Sequence, residues 1–109
     1  MSRLDQLFDL LKSQPDEPFL LFAIAKEYEK AQDEDKALDY YLQLVETTPQ
    51  YVGTYYHLGK LYERIGKPEK AFQTYKKGMI VAKEEGDMHA YSELNGAKMS
   101  IDDDDDDDF

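Results

Sequence analysis

IAKEYEKAQDEDKALDYY, residues 24–41, and LGKLYERIGKPEKAFQTY, residues 58–75, are one pattern written twice. Laid over each other at a shift of 34 residues, they bring Lys26 onto Lys60, Tyr28 onto Tyr62, Glu29 onto Glu63, Lys36 onto Lys70, Ala37 onto Ala71 and Tyr41 onto Tyr75. The same register sets apolar on apolar at Ile24 and Leu58, and small on small at Ala25 and Gly59. A fixed period of this length marks a chain of stacked supersecondary units, each too small to bury its apolar face alone.

Helix signals divide each unit in two. Pro15 and Pro18 bracket the start of a first helix from Phe19 to about Lys30. Asp33-Glu34-Asp35 makes a polar turn whose acids cap a second helix from about Glu34 to Glu46, and Thr48-Pro49 ends it. In the next unit the first helix spans about Tyr51 to Ile65. Gly66 suits a left-handed C-cap, and Pro68 stands where a first-turn proline is tolerated, opening a helix that runs to about Glu85.

Outside the two units lie partial ones. Leu4, Leu7, Phe8 and Leu11 recur at i, i+3, i+4 and i+7 behind Ser2 as N-cap, which predicts a short amphipathic helix closed by Pro15. Gly86-Asp87 reads as a stop followed by a cap, and Met88 to about Ile101 as a sixth and last helix, although Asn95-Gly96 weakens it from within. No run of residues alternates cleanly as a strand requires, and no hairpin turn lies between two candidate strands. The fold class is all-α.

This pattern resembles the tetratricopeptide repeat family. Leu21, Ile24-Ala25, Tyr28, Ala37, Tyr41 and Pro49 meet the family pattern in one unit, and Tyr55, Leu58-Gly59, Tyr62, Ala71 and Tyr75 in the next. Two departures stand out: Lys83 falls where proline is expected, which predicts a longer helix there, and Leu44 where a small residue is usual. The resemblance implies an α-solenoid of two tetratricopeptide-type helical hairpins with an N-terminal and a C-terminal capping helix. Its parts are a capping helix in residues 1–17, repeats in 18–51 and 52–85, a second capping helix in 86–101 and an acidic tail in 102–109. Physically, Ala25, Ala37, Gly59 and Ala71 remove bulk where antiparallel helices cross, and Tyr28, Tyr41, Tyr62 and Tyr75 fill the space beside those crossings.

Helical spacing leaves a second stripe on each first helix, opposite the face of Leu21, Ile24, Ala25 and Tyr28. It holds Phe19, Phe22, Ala23, Lys26 and Lys30, then Gly53, Tyr56, His57, Lys60 and Arg64, and on the last helix Asp87, Ala90, Tyr91, Leu94 and Lys98. The resemblance implies that this stripe lines a concave groove for peptides. Cations beside aromatic rings suit a segment with apolar side chains and carboxylates, or a phosphorylated one. Glutamates at i+3 or i+4 offer those lysines a plainer role as surface ion pairs. Relatives that grip chaperone tails need mostly Lys, Asn and Asn where Phe22, Lys26 and His57 stand, so that activity is not expected.

Charge and composition narrow the function further. Thirteen Lys and Arg against 24 Asp and Glu give a net charge of −11, which disfavours nucleic acid and anionic membrane as partners. Seven of those negative charges form the run Asp102 to Asp108, leaving a body near −4. No apolar stretch approaches the ~20 residues needed to span a bilayer, and a cytoplasmic location is expected. With no cysteine, with His57 and His89 outside any metal-ligand spacing, and with no nucleophile motif or phosphate loop, no enzyme, metal or cofactor is expected. The acidic run is expected to be disordered. A protein or peptide partner is expected, bound by a monomer or weak homodimer. The competing reading has the tail do the work, as a cation buffer or a mimic of nucleic acid.

Overall fold

A computed structural model describes residues 2–105, and every regular element among them is a helix. These are α1 (Arg3–Ser13), α2 (Pro18–Lys30), α3 (Glu34–Thr47), α4 (Gly53–Arg64), α5 (Pro68–Glu85) and α6 (Met88–Asp105). They fall into two compact units, Met1–Tyr51 and Val52–Phe109.

In the first unit the helix starts are set by side chains that satisfy otherwise orphaned backbone N–H groups. The Ser2 hydroxyl accepts from the Asp5 amide at 3.1 Å while the Asp5 carboxylate accepts from the Ser2 amide at 3.4 Å, a capping box. Glu17 and Asp33 accept from Phe19 and Lys36 at the starts of α2 and α3. Between α2 and α3 the chain reverses through Gln32, whose φ of 62° is left-handed, and the Asp33 amide donates to the Tyr28 carbonyl at 2.9 Å. That bond pattern ends a helix sharply and turns the next one back against it. Leu7 of α1 packs with Leu20 and Ile24 of α2, walled by Phe8, Tyr28 and Tyr40. Tyr28 and Tyr40 stack at 5.8 Å, and Phe8 meets both rings obliquely.

The second unit repeats the device with better-suited residues. Gly66, at φ 81°, stands 34 residues after Gln32, and the Lys67 amide donates to the Tyr62 carbonyl at 2.8 Å. Pro68 opens α5. With Lys83 in place of proline, α5 continues for 18 residues against 14 in α3, and Gly86 stops it in the left-handed conformation. Asp87 caps α6 by accepting from the Ala90 amide at 3.0 Å. Tyr55, Leu58, Leu61, Tyr62, Ala71, Tyr75, Val81, Ala82, Leu94, Ala97 and Ile101 form the buried apolar set of this unit.

The last helix, expected from Met88 to about Ile101, is bounded by Met88 and Asp105. The expectation of disorder for the remaining residues, 106–109, lies outside the described residues.

Candidate peptide-binding surface

On α2 the expected stripe combines an aromatic ring, a cation and a carboxylate held by a buried tyrosine. Phe22 is half-buried, edge-on to Tyr41 at 6.1 Å and 5.8 Å from Tyr51. Tyr41 is fully buried, yet its hydroxyl reaches the Glu29 carboxylate and donates to it. Lys26 Nζ lies 4.0 Å from the same carboxylate. Phe19 and Lys30, at the two ends of the helix, are exposed.

The same set recurs on α4. Tyr56 lies 6.5 Å from Tyr75 and 5.6 Å from His57. Lys60 Nζ stands 5.5 Å from the Tyr56 ring centroid and 3.8 Å from Glu63, and Glu63 accepts from the Tyr75 hydroxyl. Arg64 is exposed one residue further on. Burial, then the bond to Glu63 and the neighbouring Glu63 and Tyr56 groups, push the Tyr75 hydroxyl far above its ordinary 10.0, so it remains a donor.

Neither glutamate bond was foreseen from the residues, although the signal was present: Glu29 and Tyr41 recur at Glu63 and Tyr75 with the same period. The bonds turn each glutamate into a fixed acceptor and so place the lysine beside it. Lys26 and Lys60 each keep 43% of the side chain exposed. The glutamates are the more sheltered partners, 13% exposed at Glu29 and 32% at Glu63, so each lysine takes the outer side of its pair.

The last helix departs from the expected register. Leu94 is buried, its methyl group 3.1 Å from where a Cβ on Gly78 would stand, and it belongs to the core and not to the stripe. Leu94 and Ala97 repeat the burial of Leu58 and Leu61 at a spacing of 36 residues and not 34. The shift carries Tyr91 and Lys98 to a groove between α5 and α6. Phe19, Phe22, Lys26 and Lys30 therefore belong to α2, and Tyr56, His57, Lys60 and Arg64 to α4, while Tyr91 and Lys98 form a separate surface.

Among the described residues no helix is long and apolar enough to cross a membrane, and no group of three His, Asp or Glu side chains is placed to hold a metal ion. Helices paired through short turns, a period of 34 residues and small residues facing tyrosines define a helical-hairpin repeat protein of the α-solenoid class. The chain belongs to the tetratricopeptide repeat family. Two models of that repeat match residues 20–51 and 40–73. The crystal structure of a tetratricopeptide repeat domain protein from Salinibacter ruber is 48% identical, covering 79% of this chain and 96% of its own, with a TM-score of 0.75. A solution structure of a tetratricopeptide repeat domain protein from the same organism gives 48% identity, 80% and 88% coverage and a TM-score of 0.78. The solution structure of a Bordetella parapertussis protein, 24% identical over 96% of this chain and 91% of its own, shares the fold with a TM-score of 0.82. No curated protein matches the sequence. Tetratricopeptide domains are in general protein-interaction modules.

Proposed function

We propose that this chain is an adaptor that takes up a peptide or protein segment bearing carboxylates through a first-helix stripe that each unit carries, on α2 in one and on α4 in the other. The observation that carries this reading is the repeated set of ring, lysine, glutamate and tyrosine: Phe22, Lys26, Glu29 and Tyr41 in one unit, and Tyr56, Lys60, Glu63 and Tyr75 in the other. Each ring offers an apolar face to a ligand side chain, each cation offers charge, and the buried tyrosine holds both in position. In this reading the chain binds and does not catalyse, needs no cofactor, and works in the cytoplasm as a monomer or weak homodimer.

Selection from a random peptide library tests it. Binders enriched in Asp and Glu are expected, and Lys26→Glu combined with Lys60→Glu should weaken them while helicity by circular dichroism stays unchanged. The chain truncated after Ile101 should keep the same binders, which a tail-driven function would not allow. Unaltered affinity in the double variant would remove α2 and α4 as the binding surface.

A further inference from the structure

Each first helix carries a face that the following second helix covers. On α2, Tyr28 is stacked on Tyr40 of α3 and lies 5.6 Å from Lys36 Nζ. On α4, Gly59 receives the Tyr75 ring of α5, and Lys70 of α5 stands over Tyr62 at 5.9 Å. Counted from the matched burial of Leu94 and Ala97, the residues of α6 that correspond to Tyr55, Gly59 and Tyr62 are Tyr91, Asn95 and Lys98. All three are half-buried, and no helix among the described residues follows α6 to cover them.

This face adjoins a strip of α5 to make a groove of about 310 Å³ lined by Lys76, Met79, Ile80, Lys83, Tyr91 and Lys98. Its floor is apolar, and Ile80 is 61% exposed there. Its rim is cationic. Lys76 and Lys98 both stand over the Phe72 ring, at 5.6 and 5.3 Å, which holds two ammonium groups beside the groove. Three lysines around an apolar floor form a concentrated positive site on a chain of net charge −11.

We infer that this groove docks an acidic amphipathic helix of a partner protein, in the position that a second helix takes in the two complete hairpins. The repeat pattern specifies a helix: at the matching places on α2 and α4 the covering element is one. The charges specify its chemistry, with apolar residues at i, i+4 and i+7 entering between Ile80 and Tyr91 and carboxylates on both flanks meeting Lys76, Lys83 and Lys98. The docking is independent of the stripes on α2 and α4, so either reading can fail without the other.

The experiment uses the full chain and two synthetic helical peptides, one with leucines at i, i+4, i+7 and i+11 and glutamates on its polar face, the other with lysines in place of the glutamates. The acidic peptide is expected to bind and the basic one not. Lys76→Glu combined with Lys83→Glu should weaken binding about tenfold at low salt, with a smaller loss at high salt. Ile80→Asp should weaken it at every salt concentration, and should do so also in a chain carrying Lys26→Glu with Lys60→Glu, where the stripes on α2 and α4 no longer attract carboxylates. Amide shifts on titration should centre on Ile80, Tyr91 and Lys98. Equal affinity for the two peptides, no binding of the acidic one, indifference to Lys76→Glu with Lys83→Glu, or no shifts at Ile80, Tyr91 and Lys98 would each overturn the inference.

Discussion

The Tyr75 ring occupies the space that a side chain on Gly59 would need: a Cβ built on Gly59 stands 2.2 Å from the ring's Cε1. The ring cannot readily swing away, being fully buried and tied through its hydroxyl to Glu63. Gly59→Ala should therefore destabilise the chain by about 1–2 kcal/mol, the overpacking outweighing the ~1 kcal/mol that alanine gains in a helix interior. Gly53, with nothing within 4 Å of its built Cβ, is the control, and its alanine variant should be neutral or slightly stabilising. Urea midpoints compare them, and a Gly59→Ala protein as stable as its parent would refute the close approach.

Ala37 and Ala71 are both fully buried on second helices, 34 residues apart. Leucine at either position adds three carbons to a crossing without room for them and should cost roughly 1–3 kcal/mol. Thermal melts of Ala37→Leu and Ala71→Leu check this, with the two losses expected to be similar because the sites repeat.

Gln32 and Gly66 occupy the same point of the repeat with φ of 62° and 81°, yet only one is glycine. A side chain in the left-handed region crowds the following carbonyl, so Gln32→Gly should stabilise the first unit by about 1 kcal/mol, while Gly66→Gln should destabilise the second by a similar amount. Chemical denaturation of the two single variants should show opposite signs.

Alkaline stability should report the buried tyrosines. Tyr40, Tyr55, Tyr62 and Tyr75 are all raised above 10.0 in the folded chain, chiefly by burial. Below that value both folded and unfolded states keep the phenol proton, and stability does not depend on it. Above it the unfolded chain loses the proton while the folded chain retains it, so stability falls as pH rises. Denaturation midpoints taken from about pH 8 to about pH 11 should drop less steeply in Tyr75→Phe than in the parent, and parallel curves would contradict the shift. At neutral pH the same variant should lose about 0.5–1.5 kcal/mol with its hydrogen bond to Glu63.

The period of 34 residues, the prolines, the capping acids and the alternation of small and aromatic residues determine the six helices among the described residues, their turns and their family, because those signals are local or recur at fixed spacing. Even the tyrosine–glutamate bonds were written there as a recurring pair.

Sequence by itself determined that hairpins form and which residues they repeat; tertiary structure decided what the last helix does with its faces. Lys83 predicts a longer α5 but not where α6 then settles: the buried positions of α6 stand two residues off the 34-residue period, which on a helix is a turn of about 200°. Packing of Leu94 beside Gly78 resolves that rotation. It buries a residue expected on the binding stripe and turns Tyr91 and Lys98 toward α5. Helix periodicity defines faces only relative to one another, and contact with a neighbouring helix determines which of them is left to the solvent.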